Sequence, residues 1–368
     1  MLSKALVVGA YQRKLEELAC LPGVDLTLIV PPSWRDRRGE TRLERAFTRG
    51  YRVLVAPLWF NGQYHLHCYP TLGRILRNLR PEILHVDEEP YNLATWQALR
   101  LGCSVGSRGL FFTWQNLPRR YPLPFRYLER VNYRLASHAI AGNQAASQVL
   151  RSKGYAGPVS VVPQFGVDPE IFRPDEACEK PPGGKQLVIG YSGALIPEKG
   201  VAHLLQACAG LPFAGWTLEI LGDGSERPHL EALAGELGIA GQVRFWGRVP
   251  SVAAAAYYRR FDLLVLPSLT LPNWMEQFGR VLVEAMASGV PVIGSDSGEI
   301  PQVIGDAGLV FPEGDVAALR GAIARLAGDA GRRTELAQRG RQRVLQHFTQ
   351  AQVAAATYTI YHEMLGSA

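Results

Sequence analysis

The chain is expected to be an α/β protein with two parallel-sheet domains, and three observations carry that expectation. Its 368 residues are more than one core ordinarily organises, and chains of this length tend to split into domains. In both halves, short apolar runs of strand length alternate with stretches of helical spacing, which is the pattern of a parallel sheet covered on both faces by its crossover helices. Between the halves, residues 174–185 read PDEACEKPPGGK, polar and rich in Pro and Gly, as a linker should be.

The elements follow in order. Residues 5–8, ALVV, read as a first strand, since the apolar run is too short for a secretory leader and is flanked by charge. Further strands are expected at 25–30, 52–56, 83–86, 109–113, 139–141 and 160–162, and in the second half at 187–191, 217–221, 243–246, 263–267 and 290–293. Helical spacing of apolar residues marks 203–209, 228–237, 253–259 and 316–326. The domains are expected at 1–174 and 186–346, with the linker at 175–185. The last segment, 347–366, reads as a helix with few charges.

Hydrophobic residues make up 47% of the chain and charged residues 20%, as in soluble globular proteins, and no apolar run approaches the ~20 residues that span a bilayer. Cys20, Cys68, Cys103, Cys178 and Cys208 are scattered, with no CxxC pair. They are expected to be reduced and mostly buried, in a cytoplasmic protein. Charge is uneven: residues 1–180 hold 24 Lys and Arg against 16 Asp and Glu, a net +8, while the remainder is net −2. One cluster is Arg35, Arg37, Arg38, Arg42, Arg45, Arg49 and Arg52; another is Arg119, Arg120, Arg126, Arg130 and Arg134. Such clusters suit either a solvated face with local ion pairs, or an anionic acceptor or the inner face of an acidic membrane as peripheral partner. Nucleic acid is not expected as a partner, because no binding motif accompanies the charge.

The most informative stretch is 267–299, PSLTLPNWMEQFGRVLVEAMASGVPVIGSDSGE. Residues 278–288 read as a helix, with Val281, Leu282, Ala285 and Met286 on one face and Gly289 where a terminating glycine belongs. Glu276 then lies in the loop before the helix and Glu284 about two turns inside it. A helix N-terminus offers unpaired N–H groups and partial positive charge, which suit phosphate. Carboxylates accept hydrogen bonds from sugar and ribose hydroxyls.

Glu276, Phe278, Gly279, Glu284-Ala285-Met286-Ala287, Gly289 and Pro291-Val292-Ile293 resemble the Glu-x7-Glu signature of the retaining glycosyltransferases of family 4. The resemblance implies the GT-B fold, two Rossmann-like domains facing each other across a cleft, with the nucleotide-sugar donor held by the second. It covers 190–308 strongly and 139–174 fairly well, and it implies that the C-terminal helix 347–366 crosses back to join the first, acceptor-side domain. The stretch 193–200, GALIPEKG, is similar to the family's G-R-L-x-x-E-K-G loop. It implies that Lys199 neutralises the departing diphosphate and that Gly193 allows close approach. Glu276 would orient the sugar, making Lys199 and Glu276 the catalytic pair. Gly222 and Gly224 resemble the family's glycine loop near the nucleotide. Phe278, Gly279, Arg280, Arg248 and Glu284 complete the implied donor set, with Glu284 on the ribose. One departure stands out: where the family has an arginine beside the lysine, this chain has Ala194, and a bidentate, permanently charged partner is lost. Arg280 and Arg248 are the candidates to replace it.

The first half resembles the family less. Residues 113–116, TWQN, stand where relatives read T-x-H-D. Gln115, with Asn116 beside it, therefore replaces a histidine that faces the reacting sugar. A glutamine can hydrogen-bond a hydroxyl but exchanges no proton near neutral pH. Gly9, followed by Arg13 and Lys14, stands in for a glycine-pair loop. Glu88 and Glu89 suit acceptor hydroxyls or an exposed loop. The aromatic run Trp59, Phe60, Tyr64, His65, His67 and Tyr69 suits stacking on sugar or lipid, or core packing. No Asp-x-Asp or His/Cys ligand spacing points to a metal. No cofactor is expected beyond the donor substrate, a UDP- or GDP-sugar. The acceptor would be a glycan, a lipid-linked acceptor or a small molecule. The other readings are a weak or inactive nucleotide-sugar-binding subunit, motivated by Ala194 and Gln115, and an epimerase or phosphorylase of the same shape.

Overall fold

The structure is a computed structural model that describes residues 1–36, 39–174 and 186–366. The chain divides into two compact units, Met1–Gly166 with Gln350–Ala368, and Val167–Thr349. The boundary thus falls after Gly166 rather than after residue 174. The cause is burial: Val167 and Phe172 pack into the core of the second unit, and the Val167 N–H donates to the Phe348 carbonyl at 2.8 Å. The expected linker 175–185 lies outside the described residues, as do Arg37, Arg38 and Cys178.

In the first unit, β1 (Thr27–Val30), β4 (Arg52–Val55), β5 (Ile83–Val86), β6 (Arg108–Thr113), β7 (His138–Ala141) and β8 (Val159–Val161) pair in parallel, β1 with β4 and β5 to β8 in sequence order. Leu2 makes parallel bridges to Ile29 on one side and Val86 on the other, which joins the two sets. The expected first strand at 5–8 is therefore displaced to the residues around Leu2. Ala5–Val7 is instead a 3-10 turn whose Leu6 and Val7 are buried with Leu15, Leu18 and Leu28. A short apolar run does not distinguish a strand from a buried helical turn. The hairpin β2 (Ser33–Asp36) and β3 (Gly39–Arg42) is antiparallel and buries only Trp34, so it lacks the apolar alternation that would have marked it. The C-terminal helix Gln350–Gly366 belongs to this unit, burying Val353, Ala354, Ile360 and Met364 against its cores.

In the second unit, β9 (Leu187–Ser192), β10 (Trp216–Leu221), β11 (Val243–Gly247), β12 (Leu263–Leu266), β13 (Val292–Ser295) and β14 (Gly308–Phe311) form one parallel sheet in the order β11-β10-β9-β12-β13-β14. The order reverses between β9 and β12, and in such sheets the ligand crevice opens at the carboxyl ends of the strands at that switch point. Helices Val201–Ala209, Arg227–Glu236, Ser251–Tyr258, Arg280–Ala287, Ile300–Ile304, Val316–Gly328 and Ala330–His347 pack with the sheet in this unit. The short edge strand β14 was not expected.

Cys20 and Cys103 are exposed, Cys68 half-buried and Cys208 buried, against the expectation of mostly buried thiols. Cys20 caps the end of the helix Arg13–Ala19, and Cys103 sits in the last turn of the helix Leu93–Ser104, positions that face water. Among the described residues no helix is long and apolar enough to cross a membrane.

Candidate functional site

The switch point of the second unit brings together two loops. The loop after β9 carries Lys199, and the loop after β12 carries Ser268, Trp274 and Glu276. They meet because Gly200 allows it. Its φ is +63°, and a Cβ there would lie 2.1 Å from the Pro267 carbonyl oxygen, so a side chain is excluded. The Leu269 N–H donates to the Glu198 carbonyl at 2.8 Å and ties the loops together. Lys199 Nζ then reaches Glu276 Oε2 at 2.5 Å, and Ser268 Oγ donates to the same oxygen at 2.9 Å. The ammonium also lies 4.9 Å from the centre of the Trp274 ring. Glu276 is buried to 7% exposure, so its charge is stabilised by these partners rather than by water.

Glu284 lies on the second turn of the helix Arg280–Ala287 and is also buried. It accepts from Tyr258 OH at 2.8 Å and pairs with Arg280 Nε at 3.0 Å. Burial, and then the Glu284 charge, push the Tyr258 phenol well above its ordinary range, so the phenol stays protonated and donates. The expected helix at 278–288 is shorter, because Gly279 holds a left-handed φ of +76° as its N-cap. Phe278 stands before the helix and packs edge-on against Phe348, with ring centres 5.7 Å apart, which is a core contact.

The glycine loops are sewn together by backbone bonds. Gly193 N–H donates to Leu221 at 2.9 Å, Leu195 N–H to Asp223 at 3.1 Å, and Gly222 N–H to Gly247 at 2.8 Å. Gly193, Gly222 and Gly224 therefore lie at one carboxyl edge, and exposed Arg248 follows Gly247 directly. Of the two proposed substitutes for the missing arginine, Arg280 already serves Glu284, whereas Arg248 stands in the open. Tyr258 and Ser268 were not singled out from sequence. Their signal was positional only, a tyrosine in the preceding helix and a serine closing β12.

The candidates in the first unit do not form a comparable open site. The Gly9 N–H is taken by Glu44 Oε2 at 2.6 Å, which occupies the group expected to meet phosphate. Glu88 is no exposed loop residue: it is buried and paired with Lys4, with His67 Nε2 at 3.6 Å. Burial pushes its carboxyl up, but Lys4 and His67 outweigh that and hold it at about 2. Gln115 is buried; its Oε1 accepts from Lys153 Nζ at 3.2 Å, while its Nε2 has no partner among the described residues. Asn116 is buried beside it.

Glu89 is the unusual member. It accepts from Thr113 Oγ1 at 2.6 Å and from the Trp114 N–H at 2.8 Å. Burial nevertheless pushes its carboxyl up to about 7, against the pull of those donors. A carboxyl raised on folding contributes stability below its unfolded pKa near 4.5, and that stability is lost as pH rises through about 7. Glu89→Gln is thus expected to raise the melting temperature relative to the native protein at pH ~8 and to leave it nearly unchanged at pH ~4, below both pKa values. An equal shift at both would contradict the assignment.

A family profile described as "Glycosyl transferases group 1" matches residues 173–343, and one described as "Glycosyltransferase Family 4" matches residues 16–171. The lipopolysaccharide core biosynthesis glycosyltransferase LpsE of Rhizobium meliloti is 27% identical over 357 residues, 94% of this chain and 91% of that protein. A glycosyltransferase structure from Rickettsia africae aligns with a TM-score of 0.78 at 17% identity, over 100% of this chain and 98% of that one. Anabaena HepE, in complex with UDP and glucose, aligns with a TM-score of 0.70 at 19% identity, over 98% of each chain. These likenesses show the GT-B fold, and the profiles fall one on each Rossmann-like half of the sequence. The chain belongs to glycosyltransferase family 4.

Proposed function

We propose that the protein is a retaining glycosyltransferase that moves a hexosyl group from a nucleoside diphosphate sugar, UDP- or GDP-linked, to an acceptor hydroxyl without a divalent metal. The product would be a glycan, glycolipid or other glycoconjugate. The observation that carries this reading is the buried Lys199–Glu276–Ser268 cluster at the switch point, beside the N-terminus of the helix that presents Glu284. Lys199 and the helix N-terminus offer positive charge where a diphosphate would depart. Glu276 accepts from the sugar hydroxyls and Glu284 from the ribose. As the bond from the anomeric carbon to the β-phosphate oxygen breaks, that oxygen takes the acceptor's proton and the acceptor oxygen bonds to the same face of the sugar. Retention follows, and no protein base is required, so a glutamine at 115 is compatible with turnover. The UDP and glucose named for HepE and the lipopolysaccharide core named for LpsE support the donor class and a glycolipid acceptor. A cytoplasmic protein at the inner membrane face fits such an acceptor.

Thermal stabilisation against a panel of UDP-, GDP-, ADP- and dTDP-sugars tests the donor site. One donor at a hundred times its Kd should add about 2.7 kcal/mol, or several degrees. That donor is then supplied with acceptor extracts, and the anomeric configuration of the product is read by NMR. No shift with any donor would sink the reading. A shift without transfer would support a binding subunit, the outcome that Ala194 favours.

A further inference from the structure

One face of the first unit is unlike the rest of the surface. The loop that follows β4 is closed by paired backbone bonds between Trp59 and Cys68, at 2.9 and 3.3 Å. At its tip, Trp59 is 60% and Phe60 59% exposed, with Tyr64 and Leu66 also exposed. Phe60 holds a φ of +57°, which bulky residues seldom adopt. Apolar side chains held out in water by a strained turn need a reason.

A second exposed apolar group adjoins this loop. Leu123 is 68% and Tyr127 62% exposed. The two segments touch through His65, whose ring stands 4.9 Å from Phe125 and 5.7 Å from Tyr121. Tyr127 lies on the helix Phe125–Leu135, which also carries Arg126, Arg130 and Arg134. That i, i+4 spacing places the three arginines in one stripe, and all are exposed, as are Arg119 and Arg120 just upstream. The inner face of the helix buries Leu128 and Asn132. The hairpin β2-β3 is tied to the same loop by Asn61, whose side-chain oxygen accepts from the Arg35 N–H at 2.9 Å. It brings exposed Arg35 and Arg42.

Exposed aromatic and leucine side chains therefore adjoin two arginine-bearing elements, the helix Phe125–Leu135 and the hairpin β2-β3, in the half of the chain with the net positive charge. That chemistry matches a membrane interface, where rings settle at headgroup depth and guanidinium groups pair with lipid phosphates. We propose that this face docks on an anionic lipid bilayer, with Trp59, Phe60, Leu123 and Tyr127 entering the headgroup boundary and the Arg126–Arg130–Arg134 stripe lying along the surface. This gives the membrane location proposed above a defined surface, and its test requires no sugar donor.

The test is sedimentation of the full chain with vesicles of equal parts phosphatidylglycerol and phosphatidylcholine, and with pure phosphatidylcholine, at low and high salt. The native protein should pellet with the anionic vesicles at low salt only. Trp59→Ser/Phe60→Ser/Leu123→Ser and Arg126→Gln/Arg130→Gln/Arg134→Gln each change exposed side chains and should keep the native melting temperature. Each should weaken vesicle binding about tenfold or more. Donor-induced stabilisation should be unchanged in both, so a failure of the donor site and a failure of this surface read out separately. No binding by the native protein, or undiminished binding by both variants, overturns the proposal. Concentration-dependent dimerisation through the same residues, seen by light scattering without lipid, would equally overturn it by assigning the face to a second copy.

Discussion

Lys199→Ala and Glu276→Ala are each expected to lower sugar transfer by about 10²–10³. Lys199 would lose the charge that meets the departing diphosphate, and Glu276 the carboxylate that holds the sugar. The structure adds a complication, because the two residues also hold each other. Their contact is 2.5 Å and both side chains are largely buried, at 17% and 10% exposure. Lys199→Ala takes the ammonium away from buried Glu276, whose Oε2 still accepts from Ser268, and removing one partner of a buried ion pair can cost about 3–5 kcal/mol. The lysine variant should therefore melt lower than the native protein. The double variant should recover part of that loss, since it removes both charges at once. Transfer should stay low in all three. Measuring rate and melting temperature on the same samples separates the roles: activity restored along with stability in the double variant would show that the pair is structural only.

The second large effect is a gain. Ala194→Arg should tighten donor binding about ten- to hundredfold, the value of a charge-assisted contact worth roughly 1.5–3 kcal/mol. Residue 194 is exposed, and its backbone is fixed by Tyr191 OH, which donates to the Ala194 carbonyl at 2.9 Å. The neighbouring Gly193 N–H is bonded to Leu221 at 2.9 Å. The loop need not move to receive the longer side chain. Titration calorimetry with the donor identified in the panel gives the answer. An unchanged Kd would mean that the phosphates lie elsewhere, and Arg248 becomes the residue to replace next.

Much of the second unit was legible from residues alone. Strands at 187–191, 217–221, 243–246 and 263–267 were placed within a residue or two at each end, because each is a short segment dominated by apolar residues and bounded by polar turns. The Glu-x7-Glu segment announced its own loop-then-helix form. The first unit was harder to read for opposite reasons. Residues 5–8 are apolar but form a 3-10 turn, since burial is common to both conformations. The β2-β3 hairpin is strand but buries only Trp34, so no apolar pattern betrays it. Glu88 looked like a loop carboxylate because its partners, Lys4 and His67, are distant in sequence.

Local periodicity and motif chemistry thus determined that the chain has two α/β halves and a donor-type segment in the second, since these depend on neighbours along the chain. Only the tertiary structure decided the pairings. Lys199 and Glu276 stand 77 residues apart and meet because β9 and β12 are adjacent in the sheet. Tyr258 reaches Glu284 across 26 residues, and Arg280 pairs with the same carboxylate through its Nε. Strand order is set by which apolar faces bury together, a non-local balance that no window of sequence contains.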